Sequence, residues 1–370
     1  MPEIIKSESD FINLIEKSLD YKCDQIDILN TFLSNSRDVI RYVIGKNTDT
    51  LNLSKIIKID AIIDDYSDAK FWNEIPILKF SNIDLNAIFV NCSTSISPIE
   101  VSKKLNNIGV SNVIHLSDII FSNKVNFTLP VFVQEMRSEW KINKSRWFNL
   151  YLKLNDEFSK NVLIDLISFR LSSNLTYMKN YNVRLQDQYF ENFMNYNSET
   201  YVDVGGYDGD TTELFCLNDQ NYKKVFIFEP SKINMETAKK RLANFNNIKF
   251  YSFGVSNKKE ELFFNENEGS SSSISETGLN KITTTTLDEE IKEKISVIKM
   301  DIEGWELNAL KGSINHIVND NPKMAITVYH NAKDFIEIPE YILSLNANYK
   351  LYLRHYTSGW SETVMYFVPV

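Results

Sequence analysis

The stretch Tyr201-Val-Asp-Val-Gly-Gly-Tyr-Asp-Gly-Asp-Thr-Thr212 decides the fold. Its first residues form an apolar strand, a turn follows with Gly205, Gly206 and Gly209, and a helix begins behind it. This order opens a Rossmann-like βαβ unit, and the glycines let a ligand lie against the main chain. Asp203 sits just inside the strand end. A carboxylate there would repel a pyrophosphate, so the position suits a cationic or amino-bearing ligand.

The same pattern repeats outward from this turn. Phe226-Ile-Phe-Glu-Pro230 ends the next strand, and Glu229 at its tip can accept both hydroxyl protons of a ribose. Phe253-Gly-Val-Ser256 follows a third strand, where it can line an adenine pocket. Val297-Ile-Lys-Met-Asp-Ile-Glu-Gly-Trp-Glu306 runs from a fourth strand through an acidic turn into a helix. In open α/β sheets, ligands bind beyond the carboxyl ends of the strands. Asp301 and Glu303 are therefore expected to face one crevice together with Asp203 and Glu229. Four carboxylates in one place call for a cation or for hydroxyl donors. S-adenosylmethionine supplies a sulfonium, an ammonium and a ribose.

With these pieces the second half of the chain, about residues 185–370, resembles the FkbM family of S-adenosylmethionine-dependent methyltransferases. The resemblance rests on Val202-Asp-Val-Gly-Gly-Tyr-Asp-Gly209, Phe228-Glu-Pro230, Gly254-Val-Ser-Asn257, Thr286-Leu-Asp288 and Lys299-Met-Asp-Ile-Glu-Gly-Trp-Glu306. Gln188-Tyr-Phe190, Leu353-Arg-His-Tyr-Thr357 and Glu362-Thr363 look like a subgroup with an extra amino-terminal Rossmann-like part. The resemblance implies a class I methyltransferase sheet and O-methylation of a hydroxyl, often on a sugar or natural product. It implies a cofactor site made of Asp203, Gly205, Gly206, Tyr207, Asp208, Glu229, Pro230, Gly254, Val255, Ser256 and Asp301. Within it, Glu229 would hold the ribose, Ser256 would lie near the adenine, and Asp301 would sit beside the transferring methyl group.

Methyl transfer is an in-line displacement, helped by positioning and by a base for the acceptor hydroxyl. The fifth strand ends Ile326-Thr-Val-Tyr-His330, which predicts His330 over the crevice as general base, with Asp301 as orienter or alternative base. Glu303, Arg354 and His355 are the candidates for binding the acceptor. Asp301, Glu303 and His330 offer oxygen and nitrogen ligands to a divalent ion, but their spacing is no metal signature and no metal is assigned. His115 and His316 read as structural.

Upstream, apolar runs at 41–45, 59–65, 87–91 and 112–116 alternate with a helix starting near Ser97-Pro98. Such runs imply a parallel sheet covered on both faces. The expected organisation is α/β throughout: a helical segment at 1–37, a small Rossmann-like domain at 38–133, a helical connector at 134–197, and the methyltransferase domain at 198–370. In 1–37, Ser9 or Asp10 is the expected helix cap. The turn 45–50 has one glycine where a dinucleotide site wants three, although Asp64 stands at a ribose-binding position. An NAD-dependent oxidoreductase is accordingly the weaker alternative, and a non-catalytic Rossmann-type scaffold is another. Aromatics and arginines in the connector are read as helix packing rather than base or sugar stacking. The serine-rich stretch 268–278 reads as a mobile loop.

Composition fits this reading. Of 370 residues, 43% are hydrophobic and 24% charged, as in an ordinary globular chain. The net charge of −9 argues against a general nucleic-acid binder. Cys23, Cys92 and Cys216 are scattered and odd in number, which suits a reducing compartment. No secretory leader or membrane-spanning run is read, so a cytoplasmic enzyme acting on a small-molecule or glycan acceptor is expected. Homo-oligomer formation is left open by the sequence.

Overall fold

A computed structural model of the chain describes residues 5–264, 274–275 and 280–370. Most of the serine-rich stretch expected to be a loop lies outside the described residues. The chain divides into two compact units. The first comprises Met1–Tyr151, Lys160–Leu185 and His355–Glu362; the second comprises Leu152–Ser159, Gln186–Arg354 and Thr363–Val370.

The first unit contains six strands, β1 (Arg41–Ile44), β2 (Ala61–Ile63), β3 (Phe71–Trp72), β4 (Ile75–Leu78), β5 (Ile88–Asn91) and β6 (Val113–His115). They form one sheet in the order β3-β4-β2-β1-β5-β6, parallel except for the β3–β4 hairpin. Alternation along the strands sends Val43, Ile62 and Val90 to one face and Tyr42, Ile63 and Phe89 to the other. Both faces are covered, as the continuous apolar runs require. The helices are α1 (Glu8–Glu16), α2 (Ile26–Phe32), α3 (Thr48–Ser54), α4 (Pro98–Asn107), α5 (Leu116–Phe121), α6 (Val131–Lys153) and α7 (Glu157–Ser172); the end of α6 and the start of α7 belong to the second unit. Ser7 caps α1 by accepting from the Asp10 N–H at 3.2 Å, so the cap lies upstream of the two residues expected. Phe11 of α1 packs on Trp140, Phe148 and Tyr151 of α6, which makes this aromatic run helix-packing core.

The chain following β5 meets residues 358–361. Trp360 and Ser358 donate main-chain hydrogen bonds to the Thr94 and Ile96 carbonyls at 3.0 and 2.9 Å. A Cβ on Gly359 would lie 2.1 Å from the Ser95 carbonyl oxygen. Trp360 stacks on Phe132 at 5.9 Å, with the Arg170 guanidinium 5.7 Å from its ring. The carboxyl end of β5, where a dinucleotide fold would receive its ligand, is thus lined by the chain's own residues. Asp64 is paired with Lys46 at 2.7 Å.

The second unit is built on β7 (Thr200–Val204), β8 (Lys224–Phe228) and β9 (Ile248–Tyr251), then β10 (Gly254–Val255), β11 (Glu261–Phe264), β12 (Ile274–Ser275) and β13 (Asn280–Thr285), and finally β14 (Val297–Met300), β15 (Lys323–Thr327), β16 (Tyr349–His355) and β17 (Thr363–Pro369). Seven of these form a sheet in the order β16-β17-β15-β14-β7-β8-β9. Strands β15, β14, β7, β8 and β9 are parallel, and β17 is antiparallel to β15. The chain starts in the middle at β7, moves out to β9, and returns on the other side at β14. That reversal is a topological switch point between β7 and β14. A small sheet, β10-β13-β11-β12, is inserted between β9 and β14 and was not foreseen from the sequence.

The helices of this unit are α8 (Asp210–Asn218), α9 (Lys232–Arg241), α10 (Leu287–Glu290), α11 (Glu306–Lys311) and α12 (Asp334–Leu345). Helix α11 stops at Lys311, and a separate π-helical turn follows at His316–Asp320. Val202, Val204, Ile298, Met300, Met324 and Ile326 are buried in the centre of the sheet.

Candidate active site

At the switch point β7 and β14 nearly touch. Gly205 has φ +79°, and a Cβ there would lie 1.9 Å from the Asp301 carbonyl oxygen. The N–H groups of Gly205 and Gly206 both donate to the Phe228 carbonyl at 3.0 Å, which folds the turn over the end of β8. Glycine is therefore required here first by the approach of two backbones.

Asp203 does not face the crevice, contrary to expectation. It is 0% exposed. The Lys299 ammonium lies 2.9 Å from its Oδ1, and Thr212 Oγ1 donates to its Oδ2 at 2.7 Å. Lys299 also donates to the Gly205 carbonyl at 2.7 Å. Burial raises the Asp203 pKa and Lys299 opposes the rise; burial disfavours the Lys299 charge, but Asp203 and Asp301 raise its pKa. The cation that Asp203 demands is thus supplied from inside the protein. Asp203 and Lys299 are direct neighbours across β7 and β14. A lysine inside the apolar run Val-Ile-Lys-Met was the available signal.

Glu229 lies at the tip of β8 as predicted and is 6% exposed. Its Oε2 accepts from the Tyr207 N–H at 3.0 Å and its Oε1 from the Ser231 N–H at 2.8 Å, across Pro230. Burial pushes its pKa up to about 7, against the pull of these donors. The Asp208 carboxylate is paired with Arg241 at 2.7 Å. Gly254 and Val255 form β10, which pairs with Thr284 and Thr285 of β13. Ser256 follows, fully buried, and accepts from Trp305 Nε1 at 3.1 Å.

Beyond β14 and β15 the structure gathers Asp301, Glu303, His330 and a residue that sequence reasoning missed, Glu306. The His330 nitrogens lie 3.3 Å from Glu306 Oε1, 3.3 Å from Glu303 Oε2 and 3.6 Å from Asp301 Oδ1. Burial disfavours an imidazolium, but Glu306, Glu303 and Asp301 outweigh it and hold the His330 pKa well above its ordinary value. Both ring nitrogens of His330 thus face carboxylates. Burial raises Glu303; Glu306, although fully buried, is lowered by His330 and by the Ile302 N–H. Glu306 heads α11, where an acid reads as ordinary helix-end electrostatics.

Asp301 Oδ2 accepts from Tyr189 Oη at 2.8 Å, and Gln188 Nε2 donates to that same oxygen of Tyr189 at 3.1 Å. Tyr189 holds φ +73°, a costly conformation for a bulky residue. The Lys299 ammonium lies 5.3 Å from its ring. Asp203, Lys299, Tyr189 and Asp301 therefore form one continuous polar row along the carboxyl ends of β7 and β14.

Two further expectations are corrected. Arg354 is buried in a bidentate pair with Asp156, at 3.3 and 2.7 Å, and donates to Ser159 Oγ at 2.7 Å. Phe158 and Phe193 sandwich its guanidinium at 4.9 and 5.0 Å. His355 belongs to the first unit, where burial first, then Arg170 and Arg184, push its pKa down to about 3. Neither side chain is presented to an acceptor.

Residues 203–351 match the family model of the methyltransferase FkbM domain. The crystal structure of methyltransferase FkbM from Methylobacillus flagellatus KT matches 98% of this chain and 99% of its own, with a TM-score of 0.75 and 20% identity. An rRNA methylase from Streptococcus thermophilus matches 48% of this chain and 93% of its own, with a TM-score of 0.33 and 16% identity. Fibrillarin from Aeropyrum pernix, with natively bound S-adenosyl-L-methionine, matches 50% and 71%, with a TM-score of 0.32 and 10% identity. No curated protein matches the chain. The sheet is thus Rossmann-like, and residues 203–351 are similar to an FkbM methyltransferase domain.

Proposed function

We propose that the chain uses S-adenosylmethionine to methylate a hydroxyl oxygen of a sugar, glycan or glycan precursor. The observation that carries the cofactor assignment is Glu229: a buried carboxylate at a strand tip, beside a glycine turn, with a pKa high enough that hydroxyl donors would stabilise its ionised form. Ribose hydroxyls are such donors. The positive methyl donor would lie near Asp301 and Glu303, the two acids of the cluster that keep partial exposure.

Positioning supplies much of the rate in such a displacement. Because His330 is enclosed by three carboxylates, Asp301 takes the role of base or orienter for the acceptor hydroxyl, with Tyr189 fixing its carboxylate. Among the described residues no helix is long and apolar enough to cross a membrane, and all three cysteines are free. Scattered free cysteines suit a reducing compartment, and we propose that the reaction takes place in the cytoplasm.

Calorimetric titration tests the cofactor: S-adenosylmethionine should bind one per chain, and NAD(H) should not. The acceptor class is tested with methyl-labelled cofactor and hydroxyl-rich glycan extracts. Label transfer that disappears in Asp301→Asn while cofactor binding persists supports the reading. Binding of NAD(H) alone, or label arriving on nitrogen or carbon, overturns it.

A further inference from the structure

The surroundings of His330 are unusual for an ion pair. Its side chain is 8% exposed and lies within 3.3–3.6 Å of three carboxylates, yet neither ring nitrogen is aligned for a hydrogen bond. Glu306 Oε2, fully buried, also has no hydrogen-bond partner. One ligand atom from each of Asp301, Glu306 and His330 lies within 4.8 Å of the others. Two donor atoms 3.3 Å apart, as His330 Nδ1 and Glu306 Oε1 are, have the separation of neighbours on one ion at coordination bonds of about 2.1 Å.

We propose that Asp301, Glu306 and His330 bind one divalent cation, with Glu303 as the outer carboxylate facing the other ring nitrogen. The inference deepens the proposed function of this crevice, and rests on it only for the ion's further partner, an acceptor oxygen.

Charge favours the assignment. Lys299 is already paired with Asp203. Asp301, Glu303 and Glu306 are three carboxyl groups around one imidazole, a set for which a divalent ion is the stronger partner. The supporting shell is in place as well. Tyr189 holds Asp301 Oδ2 at 2.8 Å. The Ile302 N–H holds Glu306 Oε1 at 2.8 Å, and Thr327 Oγ1 lies 3.2 and 3.1 Å from Asp301 Oδ1 and Glu306 Oε1. Such outer partners orient metal ligands. Glu303 stands at φ +57°, a strained setting for a non-glycine residue, which turns the acidic corner towards His330. Asp301 keeps 23% side-chain exposure and provides the way in. A set of two carboxylates and one imidazole suits Mn²⁺ or a similar ion.

The test uses the full chain, stripped with EDTA and titrated with Mn²⁺ under electron paramagnetic resonance. One ion per chain should be taken up, and the melting temperature should rise with Mn²⁺. Glu306→Gln and His330→Asn should each weaken uptake at least tenfold, and Glu303→Gln by about tenfold or more. No uptake by the unaltered chain at millimolar Mn²⁺, or uptake unchanged in the first two variants, overturns the site. S-adenosylmethionine binding, measured on the same samples, separates the two ideas and reports folding of the variants. Retained cofactor binding without Mn²⁺ uptake sinks the ion alone, and the converse sinks the cofactor assignment alone.

Discussion

Gly205 is fixed by the approach of two backbones and Glu229 by two N–H donors at a strand tip. Replacing Gly205 by Ala would force a side chain into the Asp301 carbonyl at φ +79°. A loss of about 2–4 kcal/mol is expected, read as a lower urea midpoint with an unchanged slope. Glu229→Gln should weaken S-adenosylmethionine binding by about tenfold or more in calorimetry, since hydrogen bonds to a charged acceptor contribute about 1.5–3 kcal/mol. The pH dependence has a definite sign. The Glu229 pKa is raised to about 7, so below that pH its carboxyl is protonated and loses acceptor strength. Cofactor affinity should rise as pH increases through about 7, with proton release on binding, and this component should be absent in Glu229→Gln. The place of Glu229 was readable from sequence because a strand tip is a local feature. The burial of Asp203 was not, because a carboxylate just inside a strand end looks the same whether it meets a ligand or a lysine from the next strand.

Strands β7 and β14 are joined by more than their ladder. Their register sets Lys299 beside Asp203, and both are buried. Lys299→Met would strand a buried carboxylate, at a cost of about 3–5 kcal/mol. Adding Asp203→Asn should restore part of that loss, and denaturant midpoints of the single and double variants measure the recovery. A single variant as stable as the unaltered chain would show that the pair contributes nothing. The strands themselves were legible, since a central parallel strand is a short continuous apolar run. Their lateral partners were not, because neighbours across a sheet come from distant sequence. Tyr189 shows the same limit: it acts from an irregular segment with no periodicity to place it. Arg354 and His355 were misread for a related reason. The carboxyl end of β16 resembles the ends of the central strands in sequence, but Arg354 meets Asp156, Phe158 and Ser159 instead.

The two compact units do not follow a single cut of the chain. The turn between β16 and β17, His355–Glu362, belongs to the first unit although its strands belong to the second. Separately produced residues 1–185 should therefore melt well below the full chain, and Trp360→Ala should lower the first unit's stability by about 1–3 kcal/mol through lost stacking and cation–π contact. Calorimetric scans of both check this; equal melting of the fragment and the full chain would contradict it. The division at residue 198 was drawn from element order, and element order cannot reveal a loop that serves a partner far upstream. There is also a consequence during synthesis. Chains generally fold from the amino terminus as they leave the ribosome. Here the piece that lines the end of β5 is made only after residues 186–354, on the order of ten seconds or more after the rest of its unit at ordinary elongation rates. Until then the early sheet must persist with that edge uncovered, and a nascent chain arrested before residue 355 should be more open to protease there than the finished protein.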